Sequence, residues 1–111
     1  KGVIMASRGH KLLTKELMAK LPPLYSQEEA GIQAVVVVKF FSPYSNWTWY
    51  ATEFDGEDTF FGLVDGFEEE FGYFSLSELE GATGAFGLPL VERDLHWKPR
   101  SLAECRRSAN V

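Results

Sequence analysis

The stretch that most constrains the fold of this chain runs from Val35 to Phe74. Its apolar residues are mostly β-branched or aromatic, and such residues favour extended strands. Turn-forming residues divide the stretch at Pro43, at Asp55-Gly56 and at Glu68-Glu69-Glu70. Asp-Gly is a strong hairpin signal because both residues tolerate a positive φ. The pattern therefore predicts several strands joined by short turns.

We predict four strands in this region, with the glutamate triplet forming a charged turn. Their predicted positions are 32–41, 47–54, 59–67 and 72–74. Connections this short exclude a parallel crossover, so the strands should form an antiparallel meander. The unbroken apolar run at 35–38 favours a central strand covered on both faces. Along the second strand, side-chain alternation places Trp47, Trp49 and Ala51 on one face and Thr48, Tyr50, Thr52 and Phe54 on the other.

Short helices are predicted before and after the strands. Leu13, Leu17 and Leu21 form an apolar stripe with Met18 beside it, and Thr14 is a suitable N-cap. These signals indicate a helix over residues 14–21, which the following Pro-Pro pair ends.

Two further helices are indicated by capping boxes. Ser75 and Glu78 bracket the start of one helix, which should reach about Glu80. Ser101 and Glu104 begin another short helix. Between them, residues 88–97 read at most as a short edge strand, because a proline interrupts the pattern.

The chain of 111 residues fits a single α+β domain, which we place at residues 12–103. Residues 1–11 are interpreted as an N-terminal arm and residues 104–111 as a C-terminal tail. Lys1 to Ile4 precede Met5 and look vector-encoded. The domain should be an antiparallel meander of three to five strands flanked by short helices.

Charge is distributed unevenly along the chain. The formal net charge is −5, yet residues 21–95 carry fourteen acidic side chains against only Lys39 and Arg93. Both ends of the chain are basic. An acidic body repels nucleic acid and favours basic partners, so we expect a protein partner rather than direct nucleic-acid binding. No apolar run is long enough to span a membrane, and a single cysteine suits a reducing compartment such as the bacterial cytoplasm.

Few residue groups in the sequence suggest catalysis or metal binding. Glu92, Asp94 and His96 alternate, so on a strand they would share one face and resemble a metal-binding set. A polar exposed strand face explains the same pattern, and we predict no metal, no cofactor and no catalytic residues. A nucleophilic Cys105 paired with His96 is conceivable but finds no further support.

The candidate binding residues fall into two groups. The acidic group occupies two predicted turns, which we expect to display their carboxylates together. The acidic candidates are Asp55, Glu57, Asp58, Glu68, Glu69 and Glu70. The aromatic group is the alternative, since Trp and Tyr often anchor protein interfaces. The aromatic candidates are Tyr44, Trp47 and Trp49.

Four blocks of the chain together resemble one known family. They are LLTKELMAKLPPLYSQE, VKFFSPYSNWTWYATEFD, FFGLVDGFEEEFGYFSLSELE and GLPLVERDLHWKP. The family is domain-of-unknown-function family 2958, a group of small proteins common on plasmids, phages and integrated elements. The block from Ser45 to Asp55 is the most specific part. His96 departs from the pattern, since an aromatic residue is expected there. The family has no established catalytic residues to transfer.

The resemblance implies a role in mobile-element biology. Some members of the family resemble anti-CRISPR proteins that inhibit Cas9. The first functional hypothesis is therefore a non-enzymatic acidic protein that inhibits a host defence nuclease, with the nuclease or its guide-RNA complex as partner. The alternative is an accessory protein of plasmid or phage maintenance, or of antirestriction, that binds another protein. A third hypothesis is an uncharacterised enzyme.

Overall fold

The computed structural model describes residues 9–107, so most of the predicted N-terminal arm (1–11) and the last four residues of the predicted C-terminal tail (104–111) lie outside the described residues. The helices are α1 (Lys15–Lys20), α2 (Leu76–Gly81) and α3 (Leu102–Cys105), with 3₁₀ segments at Glu28–Gln33 and Ala85–Gly87. The strands are β1 (Val35–Val36), β2 (Val38–Phe41), β3 (Thr48–Phe54), β4 (Thr59–Asp65), β5 (Glu69–Ser75), β6 (Glu92–Arg93) and β7 (Arg100–Ser101).

Five strands form one antiparallel sheet in the order β5-β4-β3-β2-β6. The hairpins β2-β3, β3-β4 and β4-β5 make the meander that the sequence predicts, and β6 is the expected short edge strand. A second, two-stranded sheet joins β1 to β7. The α+β architecture is confirmed.

The valine run differs from its prediction. It divides at Val37, whose N–H donates to the Ala51 carbonyl over 2.9 Å. On one side of this break Val35 pairs with Ser101 in the small sheet, and on the other Val38 pairs with Ala51 in the large sheet. Val35 is exposed, and β3 rather than the valine run is the middle strand. The single strand predicted at 32–41 is therefore wrong, because the chain changes partners within four residues, whereas β2 does lie between two strands and Val36 and Val38 are buried in the two different cores.

The predicted charged turn is also misplaced by two residues. Glu69 and Glu70 belong to β5, where they pair with Asp65 and Val64. The turn itself consists of Gly66, Phe67 and Glu68. Cross-strand pairing therefore overrides the turn preference of a charged run.

A β-bulge in β3 changes which residues face the core. The register with β4 shifts between Ala51 and Glu53, so Thr52 is the extra residue, and its hydroxyl donates to the Phe61 carbonyl over 3.1 Å. A bulge resets the alternation of side chains that follow it. Phe54 thus shares the core face with Ala51, contrary to the predicted alternation, and Glu53 projects to the opposite face.

The sheet is covered on both faces. The larger core surrounds Phe60, whose ring lies 4.6 Å from Phe54, 5.2 Å from Phe74 and 5.4 Å from Phe40 between centroids. Residues Leu12, Leu13, Leu21, Leu79 and Val91 close this core from outside the sheet. On the other face, a smaller core contains Ala34, Val36, Leu63 and Leu102, with Tyr50, Trp97 and Cys105 packed against it.

The helix signals are largely confirmed. Thr14 accepts the Leu17 N–H over 3.2 Å, and Ser75 accepts the Glu78 N–H over 3.1 Å. Leu13 and Leu21 are buried, whereas Met18 is exposed although the stripe included it.

The C-terminal capping box also forms. The Ser101 N–H and hydroxyl both donate to the Glu104 carboxylate, over 3.3 and 3.2 Å. The predicted domain limit at residue 103 falls inside α3.

Gly62 should be irreplaceable at the bulge. A Cβ atom there would lie 1.8 Å from the Tyr50 carbonyl oxygen, whereas one at Gly72, its cross-strand partner, would meet nothing within 4 Å. We expect Gly62→Ala to lower the free energy of unfolding by about 3 kcal/mol or more, because backbone must move. Gly72→Ala is the matched control and should change it by less than about 1 kcal/mol. Urea unfolding measures both, and equal losses would contradict the bulged register.

Candidate functional site

The six acidic candidates lie at two separate ends of the β3-β4-β5 hairpins. Asp55, Glu57 and Asp58 occupy the turn before β4, and Glu68 to Glu70 follow its far end. β4 has seven residues, so the two turns are about 20 Å apart along the strand. The expectation that both turns display their carboxylates together is therefore wrong.

Two of the acids hold the first turn together. One Asp55 oxygen accepts the N–H groups of Glu57, Asp58 and Thr59 over 2.8, 2.9 and 3.0 Å. These backbone hydrogen bonds, that of Glu57 foremost, lower the pKa of Asp55. Its carboxylate thus supports the turn rather than standing available for a partner.

Asp58 anchors α2 to the same turn. Its carboxylate accepts the Ser75 and Ser77 hydroxyls over 2.7 and 2.8 Å and the Ser77 N–H over 2.8 Å. The hydrogen bonds from Ser75 and then Ser77 lower the pKa of Asp58. Among the three acids of this turn, Glu57 is the one whose carboxylate accepts none of the hydrogen bonds described for the turn or for α2.

The second acidic group is also divided. The Glu69 side chain is only 3% exposed, and its carboxylate accepts the Arg107 backbone N–H. The Arg107 guanidinium lies 2.9 Å from Asp65 and 3.9 Å from Glu69. Glu68 and Glu70 are exposed. The available carboxylates at this end are therefore two rather than three.

An aromatic cluster lies beside Glu68 and Glu70. The Trp47 ring is 5.9 Å from Trp49 and 5.4 Å from Phe67, which meets it edge-on. Phe67 is 92% exposed and Tyr44 60% exposed, whereas Trp49 packs against the larger core. We define the turn surface as Tyr44, Trp47, Phe67, Glu68 and Glu70.

The turn surface unites members of both predicted groups. Its aromatic and acidic residues come from the 42–47 and 66–68 turns and from the start of β5, which meet at one end of the sheet. Sequence reasoning missed Phe67 by assigning it to a strand. The Asp65-Gly66 pair was the available sequence signal, since Asp-Gly favours a turn. In the structure a Cβ at Gly66 would approach the Trp47 ring to 2.5 Å.

A concave site lies on the face of the sheet that carries the smaller core, between the 28–33 segment and β5. This tyrosine pocket has a volume of about 330 Å³. Its main side chains are Tyr25, Glu28, Glu53, Phe61, Phe71 and Tyr73. Sequence reasoning did not identify it, because its walls come from segments far apart in the chain.

The buried Glu53 carboxylate builds one wall of the tyrosine pocket. Its two oxygens accept the Tyr25 and Gln27 N–H groups, each over 2.8 Å. Gln27 in turn accepts the Val35 N–H and donates to the Val35 and Thr52 carbonyls over 2.8 to 3.0 Å. These bonds hold the loop with Tyr25 at a positive φ of 72°.

The carboxylate-histidine set does not form. β6 contains only Glu92 and Arg93, so Asp94 and His96 do not share a strand face with Glu92. Asp94 instead accepts the His96 N–H over 2.9 Å and lies 3.7 Å from the Lys39 ammonium. Within residues 9–107, no three His, Cys, Asp or Glu side chains are grouped to hold a metal ion.

Cys105 packs against the smaller core. Burial raises the pKa of its thiol to about 11. Nucleophilic cysteines require the opposite shift, because the thiolate is the reactive form.

None of the helices in the described part of the chain has the length and apolarity needed to cross a bilayer.

Comparison with known proteins gives one match. The family described as "Protein of unknown function (DUF2958)" matches residues 12–110, nearly the whole chain. No curated protein and no solved structure matches.

We expect Glu53→Gln to loosen the loop that carries Tyr25. The amide has one acceptor oxygen and turns its NH₂ group toward a backbone N–H, so the free energy of unfolding should fall by about 1–3 kcal/mol. Glu57→Gln, at an exposed position, is the control and should change it by less than about 0.5 kcal/mol. Urea unfolding measures both, and faster amide exchange at Tyr25 and Gln27 should accompany the loss. Unchanged exchange would contradict this role of Glu53.

Asp58 should make stability depend on acid pH. Its folded-state pKa lies below the ordinary value of 3.8. The stabilisation is therefore complete well above pH 3.8 and disappears as the pH falls through the lower folded pKa. Asp58→Asn should lower the melting temperature at pH 7 and reduce its decline toward pH 2, whereas Glu57→Gln should leave both unchanged. Thermal melts between about pH 2 and pH 7 test this, and identical acid declines in Asp58→Asn and the wild type would contradict it.

Proposed function

The chain belongs to the DUF2958 family of proteins of unknown function, and from this premise we propose that it is a non-enzymatic binding protein of a mobile genetic element. In this proposal it acts in the bacterial cytoplasm and inhibits a host defence nuclease of the Cas9 type. The turn surface is its interface.

The exposure of Phe67 carries the proposal. Phe67 is 92% exposed, so a partner that covers its ring would remove apolar surface from water without breaking any hydrogen bond. The neighbouring Tyr44 is also exposed. Aromatic side chains of this kind anchor protein interfaces when a partner covers them. The Phe67 ring meets the Trp47 ring edge-on, and this contact reduces the conformational freedom that Phe67 would lose on binding.

The charge of the turn surface supports a basic partner. Glu68 and Glu70 flank the aromatic residues, while the nearby Asp65 and Glu69 are already paired with Arg107. Cas9-type nucleases hold their RNA–DNA heteroduplex in a positively charged channel. Two carboxylates beside an aromatic anchor would take positions that phosphates occupy there, and they would also speed association.

An enzymatic role finds less support in the side chains. Burial gives the Cys105 thiol a pKa of about 11, so it is protonated at neutral pH. His96 offers its backbone N–H to Asp94 within a turn. Burial thus fits a structural role for Cys105.

Charge reversal on the turn surface tests the proposal. We expect the double variant Glu68→Lys, Glu70→Lys and the single variant Phe67→Ser each to abolish inhibition of a guide-RNA-loaded Cas9-type nuclease. Glu69 is left unchanged because its side chain is buried against Arg107. Each surface change should alter stability by less than about 0.5 kcal/mol. Wild-type binding should also weaken as salt rises, since exposed charges are screened over about 8 Å at physiological ionic strength.

Glu57→Lys is the matched control, because it reverses an exposed acid at the other end of β4. A DNA-cleavage assay, a pull-down with the nuclease and a thermal melt are needed for each variant. If the double variant inhibits fully and Glu57→Lys does not, the interface lies at the Glu57 end of β4 and the turn surface is not the interface. A wild-type protein that neither binds nor inhibits the nuclease would contradict the proposal. Turn-surface-dependent binding to an element-encoded protein would then favour the accessory role.

A further inference from the structure

The tyrosine pocket has the composition of a site for a positive charge. Its rings come from Tyr25, Phe61, Phe71 and Tyr73. Phe61 and Tyr73 face each other across β4 and β5, with ring centroids 5.1 Å apart and planes at 64°. Aromatic faces attract cations through the ring quadrupole, most strongly where several rings surround one site.

The rings of this pocket are positioned before any ligand arrives. Strand pairing fixes the backbone at Phe61 and Tyr73, whose rings contact each other, and the Glu53 carboxylate fixes the backbone at Tyr25. Both tyrosines nevertheless remain accessible, at 65% and 54% exposure. A ligand would therefore enter a formed site with little loss of conformational entropy.

The ionisable groups around the pocket are negative or neutral. Glu53 is buried at its wall and Glu28 is exposed at its rim. The pKa of Tyr73 is raised by its hydrogen bond with Tyr25, and the charges of Glu53 and Glu28 contribute to the same direction. Among the described residues that line the pocket there is no lysine, arginine or histidine. The pocket is thus electrostatically complementary to a cation.

The position of the pocket indicates that the cation belongs to a polypeptide. Phe71 and Tyr73 lie on β5, the outermost strand of the sheet, with no strand paired beyond it in the described structure. Edge strands can accept an extended segment from a partner, which then offers every second side chain to one face of the sheet. That face is the one on which the pocket opens.

We propose that the tyrosine pocket binds an arginine side chain of a partner polypeptide that lies extended along β5. The planar guanidinium stacks on the tyrosine and phenylalanine rings. Both Glu53 oxygens are occupied by backbone N–H groups, so Glu28 is the carboxylate that the guanidinium reaches. This site goes beyond the proposed inhibition, because its binding requires neither the nuclease nor the aromatic anchor of the turn surface.

Peptide titration of the full chain tests this site directly. The probes are the blocked peptide Thr-Val-Arg-Val-Thr and its analogue with citrulline, which keeps the shape of arginine without its charge. We expect the arginine peptide to shift the backbone NMR signals of Gly31, Thr52 and Tyr73. The citrulline peptide should bind roughly tenfold more weakly, as expected for loss of a cation held by several rings.

Two pairs of variants separate recognition from folding. Tyr73→Leu should weaken arginine-peptide binding by about threefold or more, because one ring face is lost. Phe86→Leu is its control, since Phe86 is exposed and is not among the residues lining the pocket. Glu28→Gln should also weaken binding, whereas Glu29→Gln should not. Thermal melts establish that all four variants remain folded.

The inference is overturned if arginine and citrulline peptides bind equally or if neither binds at millimolar concentration. It is also overturned if folded Tyr73→Leu and Glu28→Gln bind as tightly as the wild type. None of these results depends on nuclease inhibition. Failure of this site and failure of the proposed function are therefore distinguishable.

Discussion

The described structure depends most on how the buried Glu53 carboxylate is satisfied. Burying a carboxyl group in a residue that is 4% exposed is costly unless hydrogen bonds replace its contacts with water. Glu53 obtains those bonds from the N–H groups of Tyr25 and Gln27, which fixes a loop without regular structure against the middle strand. Pro22 at the start of this loop accepts the Phe54 N–H over 2.9 Å. The carboxylate thus ties the segment after α1 to the sheet and shapes one face of it.

The acidic residues of the chain serve two different purposes, which their hydrogen bonds distinguish. Asp55, Asp58 and Glu53 accept backbone or hydroxyl protons and stabilise turns and loops. Glu68 and Glu70 are exposed beside a supported aromatic cluster and remain available to a partner. Net charge therefore overstates the acidic surface that a basic protein would meet. The two carboxylates that remain available, those of Glu68 and Glu70, lie together at one end of the sheet, where their fixed separation favours specific recognition.

The sequence predicted the features that depend on neighbouring residues. Helix caps at Thr14 and Ser75 and the Asp55-Gly56 hairpin follow from local chemistry, and all three form. It did not predict the bulge at Thr52 or the division of the valine run, because both depend on pairing across strands. For the candidate site, Tyr44, Trp47, Glu68 and Glu70 lie together on the turn surface. The prediction that the two acidic turns lie together was wrong, because residue type alone does not give the length of the strand between them. The tyrosine pocket was not predicted, because it depends on contacts between segments that are distant in the chain.

The bulge also has a consequence for how this sequence can change length. Loops usually tolerate insertions and deletions, since few contacts depend on their residue count. The middle strand tolerates such a change at one position, because Thr52 is an extra residue with no partner of its own in β4. Deleting it would leave regular alternation, in which Glu53 keeps the face opposite Ala51 and Phe54 keeps the face of the phenylalanine core. Homologous chains should therefore vary in length within their turns and, inside the middle strand, only at the position of Thr52.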